Sequence, residues 1–230
     1  MNSPTSIILV QDEENSRKVA RMSICIVDAQ AEHPAGPIAD LIWTVDKPLM
    51  TFLFGTRDRW RRVFASDWPE SKGIVCHKQM TLAVRNEEIL GVLVSHTLEE
   101  FDEHFIHTRE RQGRNEGAEF RKHLNRAFDL MAQLFPHGLE GSYFVFDLAV
   151  SSKARRLGIG RQLLDVAKSK AKEANCDRIC LDVAADNDAV QFYIRMGMHV
   201  AVETRIPELA DRHGVGTHLH MVLPVRDSAQ

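Results

Sequence analysis

No run in this chain approaches the roughly 18 to 20 consecutive apolar residues that a membrane-spanning helix needs. No internal repeat, low-complexity tract or interdomain linker interrupts its 230 residues. Cysteine is sparse and scattered. Cys25, Cys76, Cys176 and Cys180 make no spaced zinc quartet, and a chain of this length needs no disulfide staples. A strong charge bias is missing too: the formal net charge is −3, which gives no general pull toward nucleic acid or anionic membrane. Any basic site must therefore be local. An apolar signal core is not found among the first twenty residues, where Asp12, Glu13, Glu14, Arg17 and Lys18 stand. The expectation is a soluble cytoplasmic protein without membrane or nucleic-acid partners.

What is present is the apolar and charged balance of a folded domain, 44% and 27%. Residues 20–29 read as a first strand. Ile38, Leu41, Ile42, Val45, Leu49 and Phe52 or Leu53 follow at helical spacing, with Pro48 set to kink or end that helix and Gly55 to close it. "TRDRWRRVFAS" reads as a short basic helix, and "KQMTLAVRNEEILGVLVSHT" as a hairpin whose second strand begins or bulges at Gly91. Residues 99–140 form a charged helical insertion of one or two helices, with "RQGRNEG" as a loop. "SYFVFDLAV" (142–150) is nearly continuous in apolar character, the pattern of a strand buried on both faces. A helix over 160–174, a strand at "RICLDVAA", a short helix capped by Asp186 or Asn187, and two closing strands complete a mixed α/β order.

The stretch "AVSSKARRLGIGRQLL" (149–164) poses the functional question. Glycines at a strand-to-helix junction let backbone N–H groups turn outward. The first four amides of a helix lack internal acceptors and sit at the positive end of its dipole, so they suit a phosphate or diphosphate. Arg155, Arg156 and Arg161 would add charge-assisted contacts. Two common phosphate motifs are excluded. Leu163 stands where a dinucleotide fingerprint requires a third glycine, and no Gly-Lys-Ser or Gly-Lys-Thr occurs.

Arg155-x-x-Gly158-x-Gly160, placed after the strand end Leu148-Ala149-Val150, resembles the acetyl-CoA site of the GNAT acetyltransferases. Downstream, "LDVAADNDAVQFYIRMGM" (181–198) is similar to the family's second hallmark, through Asn187, Ala189, Phe192, Tyr193, Arg195 and Gly197. Two departures stand out: Asn187 is one residue closer to Tyr193 than in many members, and Met198 replaces the usual Phe. The resemblance is close over 142–205 and loose over the rest, which reads as one domain spanning 1–230.

The resemblance implies a centrally splayed sheet of six or seven strands flanked by helices. It implies acetyl-CoA as donor cosubstrate, with pantetheine amides along the backbone of Leu148, Ala149 and Val150. The amides of Arg156, Leu157, Gly158, Ile159, Gly160 and Arg161 would ring the diphosphate, with Arg155 and Asn187 beside the donor. The implied activity is transfer of acetyl to an amine, expected on a small molecule. A protein or peptide acceptor, and a non-catalytic acyl-CoA-binding regulator of the same fold, are the alternatives. Tyr193 is the implied acid for the departing thiolate, against a bland role as a core tyrosine. Asp182 is preferred as base, with Asp147 as rival and a structural ion pair as the plain reading of either. A homodimer through the closing strands is expected by analogy.

Other features are assigned to structure. His104 and His107 share a helix face with Glu103 but lack a third ligand, so no metal is expected. His218 and His220 share one strand face and read as core or interface. Trp43, Trp60 and Trp68 read as core, and "RDRWRR" (57–62) as a solvated helix face. The acidic group Glu99, Glu100, Asp102 and Glu103 reads as solvated, with attraction of a cationic acceptor as the functional alternative.

Overall fold

Seven strands form one sheet in the order β1-β2-β3-β4-β5-β7-β6. They are β1 (Cys25–Asp28), β2 (Met80–Arg85), β3 (Glu88–Thr97), β4 (Ser142–Val150), β5 (Arg178–Ala184), β6 (His199–Thr204) and β7 (His218–Pro224). Eight α-helices accompany them among the described residues: α1 (Ala35–Ile42), α2 (Lys47–Phe54), α3 (Arg57–Asp67), α4 (Leu98–Arg111), α5 (Ala118–Leu134), α6 (Ile159–Glu173), α7 (Ala189–Arg195) and α8 (Pro207–His213). The computed structural model describes residues 23–225 apart from 137 and 139, so the start of the strand expected from residue 20 lies outside it.

Local chemistry explains most boundaries. The helix expected around Pro48 is two helices. The first ends at Ile42, and the second opens with Pro48 in its first turn and Asp46 capping the Leu49 amide at 2.9 Å. Gly55 closes it with φ 73°. The hairpin turns on Asn86 and Glu87, both at positive φ. The insertion is α4 and α5, and α4 opens with a capping box between Thr97 and Glu100. One α-helix among the described residues was not expected: α8, which interrupts the two closing strands.

The sheet carries a hydrophobic cluster on each face. Helices α1 to α5 cover one, and α6 with α7 the other. On α6, Ile159, Leu163, Leu164, Ala167 and Ala171 are fully buried, each leucine contributing about 1.5 to 3 kcal/mol. The β4 strand is less enclosed than its sequence implies. Phe144, Phe146, Asp147, Leu148 and Val150 are only half-buried. The cause is the sheet itself: β4 and β5 pair in parallel only at Ser142, Tyr143 and Phe144, and then diverge. Beyond Phe144, one edge of β4 faces an open fork.

Charged side chains lock the helical layer. Arg57 and Arg61 hold Asp40, and Arg59 and Arg62 hold Glu116, so the basic run is spent on ion pairs. Asp67 is completely buried and accepts from Gln112 Nε2 (2.9 Å) and Arg111 Nε (3.2 Å). In the acidic group, Glu100 serves the capping box and Glu103 pairs with Lys72 at 2.5 Å. Trp60 and Trp68 are buried and Trp43 is half-buried, as expected of core. No disulfide joins any of the four cysteines among the described residues; Cys25 is exposed and the others buried.

Candidate active site

Residues 151–158 carry the chain from β4 to α6, and their geometry is set by glycine. Gly158 takes a left-handed conformation (φ 79°, ψ 3°) as the N-cap of α6, and Arg156 also has positive φ, 65°. No side chain caps this helix. Its first backbone bond runs from Gln162 N to Gly158 O, so the amides of Ile159, Gly160 and Arg161 have no acceptor among the described residues. A Cβ on Gly158 would meet nothing within 4 Å, and one on Gly160 would touch only the Phe192 ring, at 3.4 Å. The space around the glycines is therefore open. Arg155, Arg156, Leu157 and Arg161 are exposed around it.

Packing sets the position of this nest. Gly91 on β3 lies under the start of α6, where an added Cβ would stand 2.9 Å from Ile159 Cγ2. Beside it, Leu90 is the extra residue of a bulge between β2 and β3. Leu148, Ala149 and Val150 lie on the diverging part of β4, which pairs with β3 on its other side.

A second bulge decides which way Asp147 points. Val94 pairs with Asp147 and Ser95 with Val145, leaving Phe146 as the extra residue of β4. Tyr143 and Val145 pack in the α6 cluster; after the bulge, Leu148 and Val150 do so instead. Asp147 therefore shares the opposite face with Ala149. Burial pushes its carboxyl well above the usual range, and the negative charge of Asp46 adds to the shift. It has no hydrogen-bond partner among the described residues.

The other two acids on this face are each held by a histidine of β7. Leu219, Met221 and Leu223 pack against α6 and α7, so His218 and His220 face α1 to α5. His218 Nε2 lies 2.8 Å from Asp46 Oδ2, and its Nδ1 lies 3.1 Å from Gly216 O. His220 Nδ1 lies 2.9 Å from Asp182 Oδ1, directly across the β5–β7 pairing. Both His220 and Asp182 side chains are 7% exposed. Asp46, His218 and His220 were not expected as site residues. Asp46 announces itself only as an N-cap before Lys-Pro, and the two histidines only by strand alternation.

Tyr193, on α7, belongs to the opposite face and is buried. Its hydroxyl has no hydrogen-bond partner among the described residues. Burial pushes its pKa well above the usual phenol range, and the negative charge of Asp147 adds to this. Asn187 precedes α7: its Oδ1 accepts from the Ala189 amide (2.9 Å), and its Nδ2 donates to Val45 O (3.1 Å). The cap position falls at Asp188, whose side chain caps nothing; Asn187, rather than Asp186, bonds the first helical amide and ties α7 to the turn bearing Asp46. His104 is buried against His96 at 3.4 Å. A cleft of about 630 Å³ lies elsewhere, at the far end of α2 between Phe52, Arg59, Phe120 and His213; its Arg59 is already engaged by Glu116.

The family model for acetyltransferases of the GNAT family matches residues 42–198. Solved structures share the fold. An N-acetyltransferase from Staphylococcus aureus Mu50 has a TM-score of 0.67 at 14% identity, covering 86% of this chain and 100% of that one. A structure described as an acetyltransferase has a TM-score of 0.60 at 17% identity, covering 88% and 100%. Ard1 from Thermoplasma volcanium has a TM-score of 0.51 at 14% identity, covering 90% and 100%. No curated protein matches the chain by sequence. With a family match over most of its length and the forked sheet to go with it, this chain belongs to the GNAT family of acetyltransferases.

Proposed function

We propose that this protein transfers an acetyl group from acetyl-CoA to the amine of a small cationic molecule. The observation that carries the reading is the fork between β4 and β5, open from Phe144 onward and leading to uncapped amides at Ile159, Gly160 and Arg161. A thin pantetheine arm fits beside the free edge of β4 at Leu148, Ala149 and Val150. A diphosphate fits the positive end of α6, where glycine leaves room and Arg155, Arg156 and Arg161 supply cations. Phe192 borders the same space.

The donor supplies a thioester whose acyl carbon takes the amine's lone pair and whose sulfur leaves as thiolate. The protein must hold the two together and manage protons. Tyr193 gives its phenolic proton to the departing sulfur. Held well above its ordinary value, it stays protonated across the working pH range. On the acceptor side, Asp46, Asp147 and Asp182 share one face, and an ammonium group would relieve the repulsion that Asp46 imposes on Asp147. The α4–α5 insertion supports a small acceptor. The end of α5 is joined to β6 by Thr204 Oγ1 donating to Leu134 O at 2.6 Å, and Phe135 packs edge-on against His218 at 5.3 Å. That cover narrows the acceptor side. Val200 and Val202, exposed on edge strand β6, support pairing of two copies.

Release of free thiol from acetyl-CoA, measured against spermidine, tyramine, kanamycin and an alanine-starting peptide, tests the reading. Thiol release with a small amine is expected. Preference for the peptide would replace the small-molecule acceptor, and CoA binding without release would point to a regulator.

A further inference from the structure

Five titratable side chains face one another on the acceptor side of the sheet: Asp46 at the α1–α2 corner, Asp147 on β4, Asp182 on β5, and His218 and His220 on β7. Their hydrogen bonds sort them. His218 has an acceptor at each ring nitrogen, Gly216 O and Asp46 Oδ2, so neither nitrogen keeps a free lone pair. Asp147 is bare but pressed toward its neutral form. Asp182 accepts from Nδ1 of His220, which fixes the Nδ1–H tautomer and leaves Nε2 as a lone pair without a partner among the described residues. Asp182 lies past Cys180, the last β5 residue paired with β4, so this couple borders the fork. A buried carboxylate holding one imidazole nitrogen while the other stays free is the arrangement that makes histidine an oriented base.

The geometry points to His220 as the base that takes the proton of the incoming amine, with Asp182 as its positioning residue. The assignment rests on the acetyl-transfer reading of the same site. The acceptor arrives as an ammonium with three protons on nitrogen. One passes to Nε2 of His220, whose Nδ1–H stays with Asp182, and later leaves to water. The freed lone pair makes the carbon–nitrogen bond while the carbon–sulfur bond breaks. The second proton, made acidic by acylation, restores the one Tyr193 gave to sulfur. The amide keeps the third. This departs from the core role that strand alternation alone assigns to His220, and it turns Asp182 from base into orienter.

The test uses the full chain, acetyl-CoA and the fastest amine of spermidine, tyramine, kanamycin and an alanine-starting peptide. His220→Asn is expected to lower kcat about 100-fold or more, to abolish the acid limb of the kcat/KM profile, and to leave acetyl-CoA affinity within about twofold. Asp182→Asn, nearly isosteric, should flip the tautomer. Nitrogen-15 shifts of the imidazole should report Nδ1–H in the parent protein and Nε2–H in the variant, with kcat falling at least tenfold. An Nε2–H tautomer in the parent, or an unchanged acid limb in a folded His220→Asn, overturns the assignment while the transferase reading stands. If His220→Asn does not fold, the Asp182→Asn tautomer and kcat decide. No thiol release with any amine removes the transferase reading and this role together.

Discussion

Asp46 and His218 are 172 positions apart in the chain and meet at 2.8 Å. Nδ1 of His218 lies against Gly216 O at 3.1 Å, so the carboxylate meets the other ring nitrogen, Nε2. The same Asp46 caps α2 through the Leu49 amide. One side chain therefore anchors the acceptor-side corner to β7 and starts a helix. Asp46→Ala should cost about 2 kcal/mol or more in urea unfolding, combining a lost cap with a lost hydrogen bond to a charged group. Asp46→Asn, which keeps both bonds in altered form, should cost well under half of that while raising KM for a cationic amine.

Tyr193→Phe should lower kcat by about 100-fold or more and leave acetyl-CoA affinity unchanged, because the hydroxyl acts only on the leaving sulfur. The variant should keep its stability, since that hydroxyl has no hydrogen-bond partner among the described residues. Steady-state kinetics beside calorimetry separates the two effects. Undiminished kcat would remove Tyr193 as the acid.

Gly160 divides folding from ligand binding. A methyl there meets only the Phe192 ring at ordinary contact distance, so Gly160→Ala should melt no lower than the parent, helped by up to about 1 kcal/mol of helix propensity. Its CoA affinity should nevertheless fall about tenfold. Gly160→Asp, which adds charge as well as bulk, should fall at least 100-fold by calorimetry. Near-normal affinity in the folded Asp variant would remove the phosphate assignment.

The buried His96 gives a pH-dependent stability with a definite sign. Burial, reinforced by His104, lowers its pKa from 6.5 to about 3, and its Nε2 lies 3.1 Å from Ile74 O. Between those values the unfolded chain binds the extra proton, so the stabilisation is complete above 6.5 and drains away as pH falls toward 3. From pH 7 to pH 5 the loss from this residue is about 2 kcal/mol. Urea unfolding at the two pH values should show it, and His96→Gln should flatten the slope. An unaltered slope in that variant would refute the account.

Much of the candidate site around 142–198 was legible because its signals are local. Gly158 marks a left-handed turn that suits a residue without Cβ, Gly160 keeps the start of the next helix open, and Asn187 accepts from the first amide of the helix that carries Tyr193. The helix α8 was missed because seven residues opened by Pro207 hold no full apolar period, leaving one buried side chain, Leu209, as the trace. The bulge at Phe146 was hidden for a different reason. A nearly all-apolar strand has no polar beat to lose, so an added residue leaves no mark on its alternation.

Residues that act through neighbours along the chain, such as the glycines and the caps, declare themselves in the linear order, because backbone conformation follows from the side chain on the spot. The pairs Asp46–His218 and Asp182–His220 could not be read that way. Each depends on strand order bringing β7 between β5 and β6, while a one-residue slip in β4 turns Asp147 to the same face. Hydrogen bonds and charges act over a few ångströms of space, and only the assembled sheet sets those distances.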